Sequence, residues 1–319
     1  MSILAFPVGR RAPTIGQRTS IFDRVVLAVD FASASLGAGR WATKTIAQGT
    51  DALLVHVASP SSDGAPSSVE PSDDAMHHIV PALSGGLGGF GATLDVNSQS
   101  SIVRVGVPSE WLDTIAADSN AALIVLGRRA NSARQRIGEP NVLERVSRRT
   151  EASVLVVPEG TTRPPDQVLA AVDNGPFAGL VIAMASAIAK LHEIPLIIMH
   201  VLAPAIGAYR RVIDVGRRAG GRLSAGVERI PEHGAISRRA PEWLNELTIA
   251  HSTADVDRVE IGVGDPAREI VSAAVGLGST LVVAGKRGSD GAPPLSLGSV
   301  ARTLLTSAPL PVLVVAEVT

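Results

Sequence analysis

The chain has no cysteine in 319 residues, which excludes disulfides, thiol catalysis and cysteine-ligated zinc and fits a reducing compartment. It is almost as poor in aromatics, with five Phe, three Trp and one Tyr. So few rings supply no base-stacking platform for single-stranded nucleic acid. An excess of one charge sign is missing too: 29 basic residues face 30 acidic ones, so no global field recruits nucleic acid or an anionic membrane, and phosphate recognition must be local. Although 45% of residues are hydrophobic, no apolar run reaches the roughly 18 residues that cross a bilayer. The first 20 residues lack an apolar signal core and carry Arg10, Arg11 and Arg18 without an acid. The expectation is a disordered tail over 1–20 on a cytoplasmic protein. No Walker A sequence, nucleophile with a paired base, carboxylate dyad or metal cluster is visible, so no enzyme is expected.

What the chain does have is an internal repeat. Arg24-Val-Val-Leu-Ala-Val-Asp30 recurs as Gln167-Val-Leu-Ala-Ala-Val-Asp173, and Leu53-Leu-Val-His-Val57 as Ile197-Ile-Met-His-Val201. From Val103 to Val157 the sequence aligns without a gap on Ile261 to Val315, at an offset of 158. Gly106 meets Gly264, Pro108 meets Pro266, Gly127 meets Gly285, and Val154-Leu-Val-Val157 meets Val312-Leu-Val-Val315. Two domains follow, over 21–160 and 165–319, joined by a linker at Thr162-Arg-Pro-Pro-Asp166. Divergence concentrates in 59–101 and 203–256, and the first of these, rich in Ser, Pro, Gly and Asp, is expected to be partly mobile.

In each unit, apolar runs without polar alternation take turns with helix-compatible stretches, which reads as parallel strands covered on both faces. In the second unit, strands are expected to Asp173, at 195–202, 258–263, 280–285 and 311–315, with helices at 177–192, 266–276 and 299–307. The fold class is therefore α/β, two tandem doubly wound five-stranded parallel sheets. Asp265 reads as an N-cap before Pro266, and Ser299 as a cap for the last helix.

Gly285-x-x-Gly288, nine residues, then Gly298-Ser299 lies between two of these apolar runs. Glycines there leave backbone N–H groups open to a polyphosphate. With the strand ending in Asp173, the strand ending in His200-Val201, Gly264-Asp-Pro266 before a helix and the closing Val-Leu-Val-Val strand, the sequence resembles the universal stress protein family, and its tandem members in particular. The resemblance implies strand order 3-2-1-4-5, pairing of the last strands in a dimer or pseudo-dimer, and ATP or AMP binding in a subset, with Mg an optional companion. It implies that Ala171, Val172 and Asp173 border the adenosine and that Val201 meets the base through its backbone. Gly285, Gly288, Ser289, Gly298, Ser299 and Val300 would wrap ribose and phosphates, with Lys286 and Arg287 as further phosphate contacts.

The first unit departs from this pattern. Ala130 stands opposite Gly288, Pro140 opposite Gly298 and Asn141 opposite Ser299. A methyl now fills the phosphate approach and proline removes an N–H, so nucleotide is expected only in the C-terminal domain. Arg128, Arg129, Arg134 and Arg136 read as a solvated or inter-domain face, and Asp30 as a strand-end turn residue. Gly86-x-Gly88-x-x-Gly91 matches a dinucleotide fingerprint formally, yet it does not join a first strand to its helix and is read as a loop. His56 and His200 read as core or interface residues, and His77-His78 as no metal pair. Trp41, Trp111 and Trp243 read as anchors on helices. The function expected is an adenine-nucleotide-binding regulator acting through a protein partner, with further homodimer pairing left open. A scaffold without nucleotide and a slow ATPase are the other readings.

Overall fold

The computed structural model describes residues 21–58, 73–130, 142–202, 242–288 and 296–316. The tail 1–20 and the segment 203–241 lie outside them. The first unit runs β1 (Arg24–Ala28), α1 (Ser33–Lys44), β2 (Asp51–Ala58), α2 (Asp73–Gly91), β3 (Ser98–Val105), α3 (Pro108–Asp118), β4 (Leu123–Arg128), α4 (Val142–Arg149) and β5 (Ser153–Pro158). The second runs β6 (Val168–Ala171), α5 (Ala178–His192), β7 (Leu196–Leu202), α6 (Glu242–His251), β8 (Val256–Val263), α7 (Pro266–Gly276), β9 (Leu281–Gly285), α8 (Ser299–Ser307) and β10 (Val312–Val315).

All these strands join one ten-stranded sheet, in the order β3-β2-β1-β4-β5-β10-β9-β6-β7-β8. Each half is parallel and has the expected order 3-2-1-4-5; the halves meet where β5 and β10 pair antiparallel, Leu155 opposite Leu313. Successive strand residues point to opposite faces, and the core divides accordingly. Leu27, Val125 and Leu155 pack under α1, α2, α5 and α6, with Trp41, Phe90, Ile182 and Leu244. Val26, Ile124, Val154 and Val156 pack under α3, α4, α7 and α8, with Leu112, Val146, Ile270 and Leu304. Strands buried on both faces account for the unbroken apolar runs. The outermost β3 carries the polar stretch Ser98 to Ser101, all exposed.

Local signals act as their chemistry predicts at Asp265, whose carboxylate accepts from the Arg268 N–H at 3.0 Å, with Pro266 opening α7. One expectation needs correction. Gly86, Gly88 and Gly91 lie inside α2 rather than in a loop. A Cβ on Gly86 would stand 3.0 Å from the Phe31 ring, and one on Gly91 1.9 Å from the end of the Gln99 side chain, so the Phe31 ring and the Gln99 amide lie against the bare backbone of α2 at these glycines. The divergent segment 59–101 contains all of α2 and the start of β3, while 59–72 lies outside the described residues. The tryptophans do sit on helices: the Trp41 indole donates to the Arg163 carbonyl in the linker, and the Trp111 indole to the Val105 carbonyl.

Candidate functional site

In the second unit the strand order reverses between β6 and β9, whose carboxyl ends lie side by side with Ala171 opposite Ala284. A crevice at such a reversal is the usual ligand position of a doubly wound sheet. On one side, the Val172 N–H bonds to the Met199 carbonyl at 2.8 Å, extending β6 by one residue. The His200 Nδ1–H donates to the Val172 carbonyl at 2.8 Å, and Trp243 of α6 meets the His200 ring edge-on at 5.1 Å. Asp173 accepts from the Gly175 N–H at 3.1 Å, forming the turn into α5. Val201 lies two residues past Met199, the register partner of Ala171, at the same edge.

On the other side stands the glycine loop. Gly285 ends β9, and a Cβ there would lie 2.8 Å from the Phe177 Cβ, so glycine lets α5 begin close to the strand. The Lys286 N–H bonds to the Val315 carbonyl at 3.0 Å, and the Lys286 carbonyl accepts from the Gly298 N–H at 2.9 Å, closing the neck of the loop. Gly298, with φ −60° and ψ 152°, is the N-cap of α8. This corrects the expectation for Ser299, which is the first helical residue, exposed, and makes no capping bond. A helix whose cap has no side chain keeps its first N–H groups available for an anion. Ala171 ends β6 with Val172 and Asp173 following it, Val201 lies in β7, Gly285 ends β9, Gly288 and Gly298 lie in the loop, and Ser299 and Val300 open α8; Ser289 lies outside the described residues. Arg287 stacks over the Phe177 ring at 5.2 Å. Lys286 turns away from the loop and donates to the Thr150 carbonyl of the first unit.

The first unit repeats the frame with different contents. The His56 Nδ1–H donates to the Val29 carbonyl at 2.7 Å, as His200 does to Val172. A Cβ on Gly127 would lie 2.3 Å from the Ala34 carbonyl and 2.5 Å from the Ser35 nitrogen. Gly127 survives because α1 presses on it, whatever happens to phosphate. Asp30 accepts from the Ala32 N–H at 3.0 Å and the Ser35 hydroxyl at 2.5 Å, and pairs with Arg129 at 2.8 Å. Burial alone would raise its pKa; those hydrogen bonds and the guanidinium outweigh it and hold the carboxyl below its ordinary value. Arg129 is the counterpart of Arg287, so the same cation closes on the strand-end aspartate in one unit and on an aromatic ring in the other.

Glu159 accepts from the Ala130 N–H at 3.1 Å and from the Ser33 hydroxyl, and these two bonds hold its carboxyl low. Ala130 is the counterpart of Gly288, so in the first unit a carboxylate of the chain itself takes the N–H that follows the first glycine of the loop by three residues. Phe31, at φ 59°, places its ring 5.1 Å from that of His56. Pro140, Asn141, Arg134 and Arg136 lie outside the described residues. Glu159 was missed by sequence reasoning because it lies two residues beyond the aligned block. Extending the block at its own offset of 158 would have found it, since Glu159 meets Glu317 there; Glu317 lies outside the described residues.

The universal stress protein family profile matches residues 21–158 and again 165–316. The chain belongs to the universal stress protein family. A universal stress protein from Archaeoglobus fulgidus DSM 4304 shares the fold over 92% of this chain and 98% of its own, at 17% identity and a TM-score of 0.57. A functionally unknown protein from Pseudomonas aeruginosa PAO1 does so over 92% of both chains, at 16% identity and a TM-score of 0.56. A universal stress protein solved in complex with cAMP matches 44% of this chain and 99% of its own, at 19% identity and a TM-score of 0.30. Among curated proteins none matches. This universal stress protein thus carries two copies of one frame with chemically unlike edges. No helix among the described residues is long and apolar enough to cross a membrane.

Proposed function

We propose that this universal stress protein binds one adenine nucleotide, ATP or AMP, at the carboxyl edge of β6 and β9, and acts as a regulator rather than an enzyme. The observation that carries this reading is the contrast between the two glycine loops. In the second unit the Gly298–Lys286 bond sets an N-terminus of α8 without a side-chain cap beside the strand that leads into Asp173, and Arg287 is drawn aside onto Phe177. In the first, Arg129 pairs with Asp30, and a methyl-bearing Ala130 gives its N–H to Glu159.

In this reading Asp173 meets the ribose or adenine, Ala171 and Val172 border it, and the backbone of Val201 reads the base. Gly285, Gly288, Ser289, Gly298, Ser299 and Val300 wrap the phosphates, which bring Mg where they chelate it. The β5–β10 seam makes the two units a pseudo-dimer within one chain. Nucleotide ordering of the loop then alters the surface offered to a protein partner. Gly288→Val and Gly298→Pro should fold and lose ATP in calorimetric titration; unchanged affinity in both would refute the assignment.

A further inference from the structure

Two buried cations lie outside both crevices. Arg128 and Lys286 each follow the first glycine of their loop, at the offset of 158 that relates the units, and only 8% and 6% of their surface is exposed. Burial lowers the pKa of both. Neither forms an ion pair among the described residues; each crosses the β5–β10 seam to main-chain carbonyls of the other unit. Arg128 donates to the Leu305 carbonyl at 2.9 Å and to the Ala308 carbonyl, at the C-terminus of α8. Lys286 donates to the Thr150 carbonyl, just past the C-terminus of α4. The last carbonyls of a helix have no partner within it and carry its partial negative charge, so a cation there is favourable. A desolvated cation is in turn costly to leave without acceptors.

The consequence concerns α8. Its first residue is tied to the glycine loop through Gly298 and the Lys286 carbonyl, and its last turn is gripped by Arg128 from the first unit. Glu144 of α4 adds a contact to Arg302 at 3.6 Å along its side. Nine residues make a rigid rod of about 13 Å, so movement at one end displaces the other. We propose that Arg128 is a positioning residue for the nucleotide site of the second unit, holding the C-terminus of α8 so that its N-terminus stays aimed at the phosphates. This rests on the nucleotide reading above, and it gives the first unit a task that needs no ligand of its own.

The test uses the full chain with Arg128→Met and Arg128→Lys. Hydrogen exchange without ligand reads the last turn of α8, where the Ala308 N–H bonds to the Leu304 carbonyl. Titration then compares ATP with adenosine, which lacks the phosphates. Arg128→Met, which removes both charged hydrogen bonds, should speed exchange at Ala308 by at least about tenfold, the low end of the worth of one such bond, and should weaken ATP by a similar factor while adenosine changes less than about twofold. Arg128→Lys should recover part of both effects, since Lys286 performs the mirror task with an ammonium. Unchanged exchange in the methionine variant overturns the clamp. Equal loss of ATP and adenosine overturns the positioning role, since a general loss of structure would do that. A wild-type protein that binds neither compound refutes the nucleotide reading and the positioning role with it. Wild-type binding that Arg128→Met leaves intact refutes the positioning role alone.

Discussion

Replacing Gly127 with alanine should destabilise the protein although that residue sits in the loop where no nucleotide is expected. The added Cβ would stand 2.3 Å from the Ala34 carbonyl and 2.5 Å from the Ser35 nitrogen, both backbone atoms. Carbon contacts settle at about 3.5–4 Å, so the start of α1 must retreat by roughly an ångström. Ala34, Ala38, Trp41 and Ala42, all buried, move with it. Overpacking of this kind costs about 1–3 kcal/mol, and each kcal/mol is worth about 2–4 °C in Tm for chains of this size class. Thermal unfolding followed by circular dichroism should therefore shift down by roughly 2–12 °C. Gly37→Ala is the control: it lies in the same helix, nothing stands within 4 Å of its Cβ, and helix propensity should raise stability by about 0.5–1 kcal/mol. A Gly127→Ala protein melting at or above the wild type would refute the packing account of this glycine.

Two further predictions concern pH. The Asp30 carboxyl titrates below its ordinary 3.8 in the folded protein, so its contribution is present above that value and is lost as pH falls through the folded pKa; Asp30→Asn should flatten the acid limb of a stability profile, and an unchanged limb would count against the Ser35 and Arg129 bonds. His192 has an Nε2 buried without a partner among the described residues, and burial lowers its pKa from 6.5. The unfolded chain then binds the extra proton first, so stability falls as pH drops below 6.5, and His192→Gln should remove that slope in denaturant titrations.

The strands, the repeat and the place of the glycine loop were legible because each is a pattern: apolar runs, a fixed offset, a spacing; the order of the strands came only with the family resemblance. What the residues did not show depends on contacts between distant elements. Gly86 and Gly91 read as loop punctuation, yet they lie in α2, with the Phe31 ring and the Gln99 side chain against their bare backbone. Ser299 read as a cap, yet the Lys286 carbonyl fixes Gly298 one position earlier as the residue that turns into α8. Lys286 read as a phosphate contact because it sits in the loop, but its side chain finds the Thr150 carbonyl across a seam that only the three-dimensional pairing of β5 with β10 creates. His56 and His200 read as packing residues; their shared bond to the carbonyl before each aspartate emerges only when β1 and β2, or β6 and β7, lie side by side.

The most direct test of the central claim is the number of nucleotides that one chain binds. Isothermal titration of the intact protein with ATP should give one site per chain, lost in Gly288→Val and retained when Glu159 is replaced by alanine. Two equal sites per chain, or heat that persists in Gly288→Val, would contradict it.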